Sequence, residues 1–218
     1  LVSGSLPPHR SLEAALAKSG GGHTLIVRPG IYRGPIQIPR QYAGTREAPT
    51  VIKSEVKWQA IVVGAPVHAI SNGGECHWLT IDGFQVQGAR YDGIKMSGDH
   101  NVVRNCWVHN NQAMGIAMHA RRGGVIENNL IEDINWAMQF GGYETAGIKI
   151  HDAIDVVIRN NTAYMNLKDK NLMGGAANGD FRAEGGDLIP AGGPDADETR
   201  RLRSGLHAPV SAPVYLFD

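Results

Sequence analysis

The chain is poor in the features that would make it a helical, membrane-spanning or disulfide-stapled protein. Aromatic residues are 6% of its 218 residues, so the core cannot be organised around rings and must be aliphatic. There are two cysteines, too few for a disulfide framework. They fall in different columns of the pattern described below, which favours two free, buried thiols at Cys76 and Cys106. Charge of either sign is not in excess: 21 Lys and Arg balance 21 Asp and Glu. That excludes the basic field of a nucleic-acid or membrane-surface protein, so neither partner is expected. No apolar run approaches the roughly 18 residues of a membrane span. What the chain has instead is glycine, 28 residues of it, which suits a fold made of tight corners.

The most informative feature is a repeat. Four segments align: LTIDGFQV (79–86), NVVRNCWV (101–108), GVIENNLI (124–131) and VVIRNNTA (156–163). Gly83, Asn105, Asn128 and Asn160 occupy one aligned position, separated by 22, 23 and 32 residues. A fixed period in this range means one supersecondary unit stacked on copies of itself, burying together an apolar face that no unit buries alone. Within each unit apolar and polar residues alternate, the period of a strand. A second short strand follows at Phe84, Cys106, Asn129 and Asn161. A third begins at Gly93, Gly115 and Gly147. The longer last spacing places an insertion within NWAMQFGGYETA. No unit contains a helix-length run with a 3.6-residue period. Three short strands per period predict an all-β fold, a single-stranded right-handed parallel β-helix with three sheets. Asn tolerates the left-handed backbone of a sharp corner, as Gly83 does, and stacked Asn amides are expected to form a ladder.

At this length one domain is expected. Its boundaries read as an N-terminal cap over 1–22, the β-helix over 23–166, and a last partial coil with an irregular tail over 167–218. In the cap, Ser11 to Lys18 predicts a short helix stopped by Gly20–Gly22, with Leu12, Ala15 and Leu16 on one face to cover the open end of the solenoid. In the tail, the apolar Val214–Phe217 segment is expected to dock. The chain opens on Leu1, which fits removal of a secretion signal and an extracellular or periplasmic location.

HTLIVRPGIYRGPIQI (23–38), GTREAPTVIKSE (44–55), ETAGIKIHDAIDVVIRNN (144–161) and NGDFRAEGGDLIPAGG (178–193) together resemble the pectate-lyase-like superfamily of right-handed parallel β-helices. The resemblance covers most of residues 20–190. It implies a carbohydrate-active protein acting on a polysaccharide, and leaves the chemistry open, because one fold hosts many sites.

The alternation of the third strand sends Ile94, Met96, Ile116, Met118, Ile148 and Ile150 inward. Lys95, Ala117 and Lys149 then form one outward ladder, with Ala117 leaving room between the lysines. Ser97, His119 and His151 form the next. Asp92, Glu144, Asp152 and Asp155 lie at strand edges. Two chemistries suit this patch. In β-elimination on a uronate polymer, cations offset the carboxylate and a basic group removes the neighbouring proton. Lys149 is the expected base, with Lys95 or His151 on the carboxylate and His119 and Asp152 beside them. In glycoside hydrolysis, Glu144 pairs with Asp152 or Asp180. Trp107 points outward and offers a face for a sugar, with Trp78 and Trp136 as further aromatics. Arg104, Asp82, Glu127 and Arg159 predict a cross-strand salt-bridge ladder. No metal site or cofactor is expected, since calcium would need a carboxylate cluster on one outward ladder. The favoured function is a lyase of an acidic polysaccharide. The alternatives are a glycoside hydrolase and a non-catalytic glycan-binding or structural module.

Overall fold

The period-two segments pair in register through the whole repeat. The computed structural model describes residues 12–18, 20–74, 76–120, 122–134, 146–164 and 215–216. Its strands fall into three six-stranded sheets, each neighbour parallel to the next. The first holds β1 (Thr24–Val27), β4 (Thr50–Ser54), β7 (Leu79–Asp82), β10 (Val102–Arg104), β13 (Val125–Glu127) and β16 (Val157–Arg159). The second holds β2 (Gly30–Arg33), β5 (Ala60–Ala65), β8 (Gln85–Ala89), β11 (Trp107–His109), β14 (Leu130–Glu132) and β17 (Thr162–Tyr164). The third holds β3 (Ile36–Ile38), β6 (Ile70–Asn72), β9 (Ile94–Ser97), β12 (Met114–His119), β15 (Ala146–His151) and β18 (Tyr215–Leu216). Chain order cycles through the three sheets once per coil. The fold is a parallel β-helix, right-handed as crossovers between parallel strands are.

Stacked columns of like residues fill the interior. Ile70, Ile94, Ile116 and Ile148 follow one another in register, as do Met96, Met118 and Ile150, and all are buried. Each such aliphatic side chain removed from water contributes about 1.5–3 kcal/mol. Helix α1 (Leu12–Lys18) closes one end of the solenoid: Leu12 and Leu16 lie against Ile36, Ile38, Ile52, Ile70, Ile81 and Phe84. Tyr42 ties the helix down by donating its hydroxyl to the Ala15 carbonyl at 3.2 Å. Ser11 and the rest of 1–11 lie outside the described residues. At the other end Tyr215 and Leu216 pair beside Lys149 and Ile150, so part of the apolar C-terminal segment docks as a strand. No helix among the described residues is long and apolar enough to cross a membrane.

The corner between the first two sheets has the expected backbone. Gly83, Asn105, Asn128 and Asn160 all take positive φ, between 54° and 77°. The expected amide ladder, however, lies one residue further on. Asn105 donates to Asp82 Oδ1 at 2.8 Å, while Asn128 and Asn160 are exposed. It is Asn129 and Asn161, 2% and 1% exposed, whose amides join. Asn129 Nδ2 donates to Asn161 Oδ1 at 2.9 Å, and Asn129 Oδ1 accepts the Cys106 backbone N–H at 2.9 Å. The physical reason is burial. A corner amide in water needs no partner, whereas one inside the coil does, and there it satisfies backbone groups the turn leaves open. Both cysteines are free and buried, with burial pushing Cys76 up to about 11 and Cys106 to about 12, so neither is a reactive thiolate. The insertion falls between β14 and β15, where 133–145 replace the short 110–113 link of the preceding coil. Its residues 135–145 lie outside the described set.

Candidate functional site

The outer face of the third sheet carries two ladders in register. Lys95, Ala117 and Lys149 form the first, and Ser97, His119 and His151 the second. Gly93 precedes β9, and Gly115 and Gly147 are the second residues of β12 and β15. A Cβ on Gly115 would come within 2.6 Å of Ile131 Cγ2 and against the Gly147 carbonyl, so only glycine lets the chain turn this closely onto the neighbouring coil. Coils rise about 4.8 Å apart, which puts the two lysines about 10 Å apart with the His119 coil between them.

The histidines stack. The His119 and His151 rings lie 5.1 Å apart and 9° from parallel. Partial burial lowers the pKa of His119 below the usual histidine value, and nearby Lys95 and His151 push it the same way, against weaker opposition from Asp92 and Asp152. The sequence places this histidine on the outward ladder beside the carboxylate-binding groups. The structure makes it half-buried, stacked on His151 and near Lys95. His151 Nδ1 is 3.5 Å from Asp152 Oδ2, and the Asp152 side chain is 86% exposed.

Other expected members sit elsewhere. Ala117 is 3% exposed, not the floor of an open slot, because it packs with Ala113, Met114, Ala146 and Tyr91 in a small apolar cluster at the leading edge of the sheet. Trp107 lies on the second sheet, away from the lysine and histidine ladders. Its ring stacks on His109 at 4.3 Å and meets Trp58 at 5.6 Å, and its indole N–H donates to the buried Glu132 at 3.0 Å. Glu144, Trp136 and Asp180 lie outside the described residues. Sequence reasoning placed Asp92 at a strand edge and passed over its neighbour His68. Asp92 is 2% exposed, with its Oδ2 3.0 Å from His68 Nδ1. That contact is short but does not point along the ring N–H, and it leaves Asp92 Oδ1 without a hydrogen bond. Only the coil geometry reveals this pair, since His68 and Asp92 are brought together by stacking and not by any motif. No three His, Cys, Asp or Glu side chains converge as a metal site would require among the described residues.

The first sheet's outer face is built differently. Arg104 Nε donates to Asp82 at 2.9 Å and Arg159 Nη2 lies 2.7 Å from Glu127, in a column that runs Lys53, Asp82, Arg104, Glu127, Arg159. This is the expected salt-bridge ladder.

A family model described as a right handed beta helix region matches residues 67–181. No curated protein matches the sequence. Solved structures with a similar fold include an alginate lyase from Paenibacillus sp. str. FPU-7, 17% identical over 70% of this chain and 63% of that one, with a TM-score of 0.48. A polysaccharide lyase from Pseudopedobacter saltans is 12% identical over 71% of this chain and 45% of that one, at a TM-score of 0.46. A pectate lyase is 14% identical over 72% and 64%, at 0.37. The chain thus spans less than two thirds of the length of each of these three proteins.

Proposed function

The chain belongs to the right-handed β-helix family, and on that premise we propose that it binds an acidic, uronate-containing polysaccharide on the outer face of its third sheet and cleaves it by β-elimination. The observation that carries this reading is the pairing of two lysines on one ladder with a partly buried histidine, stacked on a second, on the next. Elimination needs both parts. Lys95 and Lys149 offset the charge of a uronate carboxylate, which makes the neighbouring ring C–H acidic enough to lose its proton. His119 accepts that proton, because an imidazole kept neutral is a ready base near neutral pH. The electron pair of the C–H bond becomes the carbon–carbon double bond, and the glycosidic oxygen leaves with its bonding pair. His151, stacked beside His119 and held near Asp152, protonates that oxygen. The roles of Lys149 and His119 are thus exchanged from the sequence-based expectation, since partial burial and neighbouring cations favour the neutral form of His119. A polymer substrate of this kind suits a secreted or periplasmic protein.

The test is incubation with a panel of uronate polymers, followed at the ultraviolet absorbance of unsaturated products. A rising absorbance with the wild-type chain, lost in His119→Gln, supports the reading. New reducing ends without absorbance would make the protein a hydrolase. Binding without cleavage would make it a glycan-binding module.

A further inference from the structure

The corner between the third and first sheets places aromatic residues where the coil elsewhere uses small ones. Trp78 at φ 54° and His100 at φ 57° take the same left-handed backbone as Gly123 at φ 64° in the next coil and Asp155 at φ 60° in the one after. The two rings lie parallel, 4.1 Å apart and 19° from coplanar. Gly123 continues the column with no side chain, and a Cβ there would run into the His100 ring.

The other aromatic cluster shows what a structural tryptophan looks like in this fold. Trp58 donates its indole N–H to the Asn105 carbonyl at 2.7 Å, and Trp107 donates to Glu132. The Trp78 indole N–H and both His100 nitrogens make no hydrogen bond among the described residues. Polar neighbours surround the pair. His77 and Asp99 are 40% and 30% exposed, and Asp99 Oδ1 accepts the Arg122 backbone N–H. The corner is also continuous with the proposed active face. His100 follows Ser97, the last residue of β9, by three residues around a turn, and Gly98 N donates to the His119 carbonyl at 2.9 Å.

We propose that Trp78 and His100 form a sugar-stacking subsite that holds a unit of the polymer beyond the one bound at Lys95, His119 and Lys149. A pyranose presents a C–H face that packs on an aromatic ring, and its hydroxyls can pair with the free indole and imidazole nitrogens and with Asp99. This inference rests on the uronate reading of the neighbouring face.

The experiment measures the affinity of wild-type protein, Trp78→Asn and His100→Ala for a dimeric and a long oligouronate, each prepared from galacturonate and from mannuronate, together with melting temperature. Asparagine suits the backbone at φ 54°, so Trp78→Asn should melt no lower than wild type. Its preference for the long oligomer over the dimer should fall about tenfold, the scale of one lost ring contact. His100→Ala, which takes away the supporting ring, should show a smaller fall in the same direction. An undiminished preference in both variants overturns the subsite while leaving the function proposal standing. A wild-type protein that binds no oligouronate of either kind overturns both.

Discussion

The outer faces of the first and third sheets are built on the same alternation and the same coil spacing, yet they treat charge in opposite ways. On the first, Lys53, Asp82, Arg104, Glu127 and Arg159 alternate in sign, and ion pairs cross from coil to coil. On the third, the ladder runs Lys95, Ala117, Lys149 beside His119 and His151. Stacking opposite charges stabilises a sheet, whereas stacking groups that are all cationic or able to become so does not. On the third face no opposite charge alternates with the lysines within the ladder itself. That contrast, more than any single residue, is why we propose the third face as the one that meets a ligand of negative charge.

Substitutions on and beneath the two faces test the contrast, beginning with the layer they share. Ile116→Asp should abolish cooperative folding, because it places a carboxylate at a position 0% exposed between Ile94 and Ile148. Loss of the thermal transition in circular dichroism checks it. Asn129→Ala should lower stability by about 2–3 kcal/mol in urea unfolding, since the Cys106 N–H loses its acceptor and the Val103 carbonyl and Asn161 Oδ1 lose a side-chain donor in the interior. On the first face, Arg104→Glu should cost about 1 kcal/mol, by putting an acid between Asp82 and Glu127 where the column needs a base. On the third face, Lys149→Ala should shift stability by no more than about 0.5 kcal/mol. If that replacement is as costly as Arg104→Glu, the two faces do not differ in kind and the lysine ladder is structural.

The smallest expected effect is one of pH. The folded pKa of His119 lies below that of the unfolded chain, so the unfolded state takes up its proton first as pH falls. The wild-type protein should therefore hold this stability in full above the ordinary histidine value, lose it as pH drops from that value toward the lowered one, and lose no more of it below. His119→Gln should flatten this slope in urea unfolding followed across that window. Elimination should persist below the pH at which a free imidazole base would be protonated, then fall as His119 takes up a proton.

The coil period, the three strands, the inward columns and the salt-bridge ladder were all legible in the sequence, because strand alternation and a fixed repeat determine which residues share a face. So was the register of Lys95, Lys149, His119 and His151. Burial was harder to read. Asn128 and Asn129 are adjacent and chemically identical, and only the turn decides which amide enters the core. Ala117 was expected to leave a gap, but Tyr91 and Ala146, from the coils on either side, pack against it. Trp107 alternates outward as expected, yet Trp58, distant in sequence, and Glu132 of the next coil engage it. The partial burial of His119 was hidden for the same reason: its neighbours His151 and Lys95 belong to other coils.

The central claim is most directly tested by the initial rate of unsaturated-product formation from a uronate polymer that the wild-type protein cleaves, compared between Lys149→Arg and His119→Gln. Arginine keeps the positive charge but accepts no proton. Lys149→Arg is therefore expected to retain measurable elimination, and His119→Gln to lose it by roughly a hundredfold or more. The reverse result, with Lys149→Arg inactive and His119→Gln near the wild-type rate, would contradict the account and return the proton to Lys149.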